Sequence, residues 1–162
     1  MVSSPLNDFF RSWPGFTFHV QLPLHKSWEQ LHVFCGWNDQ SPQYRAAWIG
    51  YQDALASEVT IRFGDVLELE SWQKLCRAVG IDPLPGTCAD GYLVTRNLFV
   101  NIIDLIQWTR TNRVDGEVKR WKNSSDPCEY SIATKRVFER DMTARDKPNV
   151  VLRRLTTCMV PR

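Results

Sequence analysis

The sequence predicts an all-α fold, in which five or six helices pack around one central buried helix at about residues 88–112. This segment lies in the longest stretch of the chain without proline, and it is apolar over most of its circumference. Apolar residues recur at helical spacing in several further segments. The short β-like run at residues 59–64 has no evident partner strand.

The central helix would be roughly 35 Å long, at about 1.5 Å per residue. Its polar residues Asn97, Asn101 and Asp104 recur at steps of three and four, together with Gln107 or Trp108, so they share one stripe. They also exclude a membrane span, which needs about 20 nearly unbroken apolar residues. We favour a solvent-facing stripe. The alternative is a buried one, with Asn101 and Asp104 bonded to backbone groups or to a ligand.

Residues 1–23 are predicted to form an extended arm that wraps the helical core. The arm is rich in proline and aromatic residues, and Pro14-Gly15 is typical of a turn. Residues 16–20, FTFHV, alternate weakly in polarity as a strand would, but no partner strand is evident. The arm's anchors would be Phe9, Phe10, Trp13, Phe16 and Phe18.

Two helices are predicted to follow the arm. The first covers about residues 24–35, where apolar residues recur at helical spacing, and Gly36 is a typical stop. The second runs from residue 42 to about residue 57. Ser41 is its expected cap, with Pro42 in the first turn.

A third helix is predicted at residues 65–79 and should end at Gly80, while residues 59–64 before it should form a loop. The connector at residues 82–86 is rich in proline and therefore rigid. It leads to the central helix, for which Thr87 is the expected N-cap.

After residue 112 the chain becomes polar and rich in turn signals. Shorter helices are predicted at about residues 128–141 and 149–156, and the tail at 157–162 should be frayed. The length of 162 residues favours one helical domain spanning residues 1–162.

Charge is divided unevenly along the chain. Residues 1–109 carry 7 basic and 11 acidic side chains, a net of −4, and residues 110–162 carry 13 and 7, a net of +6. The basic part could attract nucleic acid or an acidic partner, or it could be a solvated face. We favour the solvated face. The basic patch would consist of Lys119, Arg120, Lys122, Lys135 and Arg136.

The five cysteines are widely spaced and include no CxxC pair, and the N-terminus lacks the pattern of a signal peptide. Reduced thiols in the cytoplasm or nucleus, rather than secretion, fit this composition. His32 and Cys35 have the spacing of two metal ligands, but no second pair exists to complete a site. We expect no metal, no cofactor and no membrane partner.

Four segments form a distinctive combination when they are taken in chain order. They are FFRSWPGFTFHVQLPLHKSWEQLHVFCGWN, WQKLCRAVGI, VNIIDLIQWTR and EYSIATKRVF. The combination resembles a loosely defined group of small proteins from filamentous fungi. Members have an aromatic N-terminal arm, a helix ending in Gly-Trp, a Trp-x-x-Leu-Cys segment and an Asn-Ile-x-Asp-Leu helix. The resemblance covers about residues 8–140. It implies a helical fold and an intracellular fungal origin, and it implies no particular activity.

Seven tryptophans, together with a helix that carries Asn101 and Asp104, would suit an apolar pocket with a few polar groups. The predicted ligand-binding residues are Phe16, Phe18, His19, Asn97 and Trp108, the first three as a lid from the arm. No catalytic motif is assembled in the sequence. We therefore favour a non-catalytic intracellular protein that binds a small apolar molecule or a protein partner, with nucleic acid as the less favoured partner.

The alternative is a small enzyme of fungal secondary metabolism, a cyclase or isomerase that acts on an apolar substrate. In this hypothesis the catalytic residues are Asp104, as the base, and Asn101 beside it. Tryptophan faces would stabilise a cationic intermediate.

Overall fold

The computed structural model describes residues 4–111, 117–123, 125–138 and 149–151. Within these ranges it has seven α-helices and two isolated β-bridges, so the predicted all-α class is confirmed, whereas the predicted count of five or six helices is not. The helices are α1 (Pro5–Arg11), α2 (Leu24–Cys35), α3 (Pro42–Arg62), α4 (Leu69–Val79), α5 (Cys88–Thr95), α6 (Ile102–Arg110) and α7 (Ser125–Thr134).

The chain divides into two compact units, Met1–Glu58 and Val59–Arg162, with the boundary inside α3. The first unit contains α1, α2 and most of α3. The second contains the end of α3 and the helices α4 to α7. The prediction of a single domain stays a prediction.

The arm contains a helix, so the prediction that residues 1–23 are wholly extended is wrong. Helix α1 has Pro5 in its first turn, and the Ser4 side chain caps it by accepting a hydrogen bond from the backbone N–H of Asn7 at 3.3 Å. Serine followed by proline is a helix-start signal, and it was present in the sequence.

A buried carboxylate holds the start of α1 in the first unit. Glu58 is only 1 % exposed, and it accepts hydrogen bonds from the Ser4 hydroxyl at 2.9 Å and from the Leu6 backbone N–H at 3.3 Å. A negative charge is favourable at a helix N-terminus, where the N–H groups lack partners within the helix.

Aromatic rings fill the interior of the first unit. Phe10 is fully buried and stacks on Phe18 with ring centroids 4.8 Å apart, and Trp28 stacks on Tyr51 at 4.9 Å. All five predicted anchors make ring contacts here: Phe9, Phe10, Trp13, Phe16 and Phe18.

Glycine stops end two helices where the sequence predicts them. Helix α2 is followed by Gly36 with φ 63°, and α4 by Gly80 with φ 73°, a conformation that favours glycine. Helix α3 runs five residues beyond its predicted end, so the predicted loop at residues 59–64 is wrong over its first part. Val59 and Phe63 are fully buried, and such packing overrides the weak helix propensity of this segment.

The predicted central helix at residues 88–112 is wrong, because the segment forms two helices, α5 and α6. Asn101 is responsible for the second start. Its backbone is extended (φ −82°, ψ 126°), and its side chain accepts a hydrogen bond from the Asp104 backbone N–H at 3.1 Å. An N-cap of this kind competes with continuing the helix.

Burial also differs between the two halves of the segment. In α6 five residues are buried, namely Ile102, Ile103, Leu105, Ile106 and Trp108. In α5 three apolar side chains are exposed, at 46 % for Tyr92, 57 % for Leu93 and 46 % for Val94. The prediction of a buried apolar helix therefore holds for α6 alone.

In the C-terminal third, helix α7 differs from its predicted range of about 128–141 at both ends, since it runs from Ser125 to Thr134. Of the second helix predicted there, at residues 149–156, only residues 149–151 are described. The tail at 157–162 lies outside the described residues. None of the described helices is long and apolar enough to cross a membrane.

Candidate ligand-binding site

A short extended segment at residues 117–123 crosses the end of α4 in the second unit. The Val118 N–H donates to the Ala78 carbonyl at 2.8 Å, and the Trp121 N–H donates to the Phe99 carbonyl at 2.9 Å. Phe99 and Trp121 form an antiparallel bridge. The segment is therefore held by backbone hydrogen bonds at two points.

This segment forms one wall of a pocket with a volume of about 370 Å³. The pocket is lined by Ile81, Val94, Asn97, Leu98, Arg120, Trp121 and Lys122. The other walls come from the residue after the α4 cap, from α5, and from the connector between α5 and α6. Small-molecule sites in proteins have volumes of about 300–1,000 Å³, and this pocket lies at the lower end.

The lining combines apolar side chains with two cations and no carboxylate. Arg120 and Lys122 are exposed, and neither forms an ion pair with any residue in the ranges that the structure describes. A third cation lies beside them, since the Lys119 ammonium is 3.9 Å from the centroid of the Trp121 ring. The pocket mouth is therefore electropositive.

Trp121 connects the pocket to α7. Its ring centroid is 5.3 Å from that of Tyr130, at an interplanar angle of 47°. The Trp121 indole N–H is buried and has no acceptor among the described residues, so the indole contributes to the structure by packing and not by a hydrogen bond.

Asn101, predicted as a catalytic residue, is 4 % exposed and uses its side chain within the protein. Its amide donates to the Ser131 hydroxyl at 2.7 Å and to the Arg136 carbonyl at 2.9 Å, while its oxygen caps α6. Ser131 in turn donates to the Pro127 carbonyl at 2.6 Å. Asn101 therefore joins α6 to α7 and to the residues that follow it. The favoured prediction of a solvent-facing stripe is wrong for Asn101, and the buried alternative is confirmed there.

Asp104, the predicted base, forms an ion pair with Arg136 at 3.3 Å, and both side chains are more than two-thirds buried. The Arg136 guanidinium also donates to the Tyr130 hydroxyl. Burial raises the pKa of the Asp104 carboxyl, while the Arg136 charge and a hydrogen bond to Tyr130 oppose the rise. Burial and the adjacent Asp104 carboxylate raise the pKa of the Tyr130 phenol.

The raised pKa of Asp104 predicts a pH dependence of stability. An acid with a raised pKa in the folded state binds its proton more tightly there, so its ionisation opposes folding. We expect wild-type stability, relative to Asp104→Asn, to decrease as pH rises from the ordinary pKa of 3.8 through the raised value. The slope cannot exceed about 1.4 kcal/mol per pH unit for one proton.

Denaturant unfolding of both proteins from acidic to neutral pH measures this difference. A stability difference that increases with pH over the same range would mean that the ion pair with Arg136 outweighs burial.

The five predicted ligand-binding residues are divided between the two units. Phe16, Phe18 and His19 belong to the first unit, where Phe16 and Phe18 pack against Phe10 and His19 is exposed. In the second unit, Trp108 is buried, at 7 % exposure, and does not line the pocket. Asn97 does line the pocket, and it is exposed.

The five residues of the predicted basic patch are also divided. Arg120 and Lys122 line the pocket, Lys119 covers the Trp121 ring, and Arg136 is paired with Asp104. Lys135 is exposed and follows α7 with φ 59°. The sequence identified the two cations of the pocket without indicating what lies beside them.

The apolar wall of the pocket was not predicted as a site. Ile81, Val94 and Leu98 lie on three different segments, and the sequence assigned Val94 and Leu98 to a buried central helix. The break between α5 and α6 brings Asn97 and Leu98 beside residues 120–122. The signal that could have shown this is the cap at Asn101.

Within the described ranges, no group of three or more His, Cys, Asp or Glu side chains could hold a metal ion, and His32 is paired with Asp39 at 2.8 Å. Burial raises the pKa of the Cys35 and Cys76 thiols, which disfavours the reactive thiolate.

Comparison with protein-family models, with curated proteins and with solved structures finds no match to this chain. The resemblance to small filamentous-fungal proteins stays a prediction.

Proposed function

We propose that this protein is a non-catalytic binding protein, and that it holds a small molecule in the pocket between α5 and residues 120–122. The observation that carries the proposal is the pocket itself, a concavity of about 370 Å³ whose lining combines the apolar side chains Ile81, Val94 and Leu98 with polar and cationic ones. Small-molecule sites in proteins use apolar side chains beside a small number of convergent polar groups.

The construction of the walls supports a site that exists before the ligand arrives. The segment that carries Trp121 is fixed by backbone hydrogen bonds to Ala78 and Phe99, and α4 and α5 are in mutual contact. A site whose walls are already ordered loses less conformational entropy on binding than one that must fold around its ligand.

The enzyme alternative has weaker support. Asp104 is engaged by Arg136 and Asn101 by the α6 cap and by Ser131, and neither side chain lines the pocket. The raised pKa of Asp104 is a property that catalytic carboxyls share, but structural ion-pair networks produce such shifts as well.

Calorimetric titration with two isosteric probes tests the proposal. The probes are naphthalene-2-sulfonate and naphthalene-2-sulfonamide, which have the same size and differ in charge. For about 14 non-hydrogen atoms at about 0.3 kcal/mol each, we expect a Kd of about 1 mM or tighter for at least one probe.

A matched pair of variants locates the binding. Val94→Trp places an indole at the pocket wall and should abolish binding, whereas Leu93→Trp, at an exposed position one residue earlier in α5, should leave Kd unchanged. The proposal fails if neither probe binds, or if Val94→Trp binds as tightly as Leu93→Trp.

A further inference from the structure

We infer that the ligand of this pocket is an organic acid with an apolar or planar body. Its carboxylate, sulfonate or phosphate group would face Arg120 and Lys122, and its body would lie against Ile81, Val94 and Leu98. This inference rests on the proposed function and adds the chemical class of the ligand.

The charges of the pocket carry the inference. Its lining includes two cations and no acid, and within the described residues neither cation has an ion-pair partner. Arg136, by contrast, is paired with Asp104 at 3.3 Å. An oxyanion bound between Arg120 and Lys122 would form hydrogen bonds in which donor and acceptor are both charged, and a neutral ligand would lack this ion-pair attraction.

The position of the cations is set by the backbone. Arg120 and Lys122 flank Trp121, whose N–H is bonded to the Phe99 carbonyl at 2.9 Å. Both side chains therefore start from a fixed point at the pocket wall. The Lys119 ammonium over the Trp121 ring adds positive potential at the same place.

The apolar wall explains why the ligand should be more than a simple anion. Exposed cations in water contribute little to the binding of an isolated ion, because their charges remain well solvated. Ile81, Val94 and Leu98 can bury the apolar surface of a larger ligand beside the charges. Inorganic sulfate alone should therefore bind poorly.

The same geometry disfavours single-stranded nucleic acid. Such sites use aromatic faces that are open for stacking along a charged groove. Here the Lys119 ammonium covers a face of Trp121, and the Tyr130 ring packs 5.3 Å from it. A small acid needs only one anionic group near Arg120 and Lys122.

The two isosteric probes test the inference directly. At low salt we expect naphthalene-2-sulfonate to bind about five- to tenfold more tightly than naphthalene-2-sulfonamide, and the ratio to shrink as added salt screens the cations. Inorganic sulfate at the same concentration should not displace the sulfonate probe from the pocket.

Charge variants assign the preference to the two residues. Arg120→Gln combined with Lys122→Gln should bring the ratio of the two Kd values close to one, mainly by weakening the binding of the sulfonate. The matched control, Arg45→Gln with Arg77→Gln, removes two exposed cations elsewhere and should keep the ratio. The exchange of Arg120→Lys with Lys122→Arg should keep it as well.

Equal binding of both probes, sensitive to Val94→Trp, would overturn the inference and leave the proposed function standing. Displacement of the sulfonate by an oligothymidine at lower concentration would overturn it in favour of nucleic acid. Absence of binding by both probes would overturn the proposed function and this inference together.

Discussion

Replacing Asn101 with alanine is expected to lower the free energy of unfolding by about 3 kcal/mol. The substitution removes the cap of α6, worth about 1 kcal/mol. It also removes the amide that donates to the Ser131 hydroxyl and to the Arg136 carbonyl. Because Asn101 is 4 % exposed, water cannot easily replace these hydrogen bonds.

Asn97→Ala is the matched control for this prediction. Asn97 is the same residue type, four positions earlier, and it is exposed in the connector between α5 and α6. We expect a change within about 0.5 kcal/mol, as for most surface substitutions. Urea unfolding of the two variants and the wild type gives the comparison. Equal losses for the two variants would contradict the assignment of Asn101 as a buried cap.

Replacing Gly91 with alanine is expected to lower the free energy of unfolding by about 2 kcal/mol. Helix propensity alone would favour alanine by up to about 1 kcal/mol. Packing opposes it, because a Cβ at this position would lie 2.6 Å from Cγ and 2.7 Å from Cβ of Trp72. Trp72 is 2 % exposed, and because protein interiors are close-packed, we expect the clash to dominate.

Gly86→Ala provides the control for the close approach of α5 to α4. A Cβ at Gly86 would meet no atom within 4 Å, and its φ lies outside the left-handed region. The free energy of unfolding of Gly86→Ala should be unchanged or higher than that of the wild type by up to about 1 kcal/mol, because alanine restricts the unfolded chain. Thermal and urea unfolding measure both variants. A Gly91→Ala protein as stable as Gly86→Ala would show that α5 does not pack on Trp72.

Local signals in the sequence predicted much of the helical framework. Gly36 and Gly80 ended helices as predicted, and Thr87 caps α5 by accepting from the Asp90 N–H at 3.1 Å. These signals act over a few residues, so no knowledge of the fold is needed to recognise them.

The sequence prediction failed where two local signals competed. Apolar content favours one helix through residues 88–112, whereas Asn101 followed by Asp104 is a capping signal that favours a second start. The structure resolves the competition in favour of the cap, because Asn101 finds partners 30 and 35 residues later, at Ser131 and Arg136. Periodicity within one segment cannot reveal partners at such a distance.

The candidate site could be predicted only in part for the same reason. Residues 120 and 122 were recognised from their charge and Asn97 from the polar stripe, but a pocket also needs walls. Its walls depend on the break before α6 and on the bridge between Phe99 and Trp121, which joins segments 22 positions apart. Trp121 contacts Tyr130 and also lines the pocket.

The most direct test of the ligand site is an amide NMR titration of the whole chain with naphthalene-2-sulfonate. Saturable shift changes should be largest at Asn97, Leu98 and residues 120–122, and they should be lost in Val94→Trp. Changes confined to residues 1–58, with residues 97, 98 and 120–122 unaffected at saturation, would contradict a ligand site at this pocket.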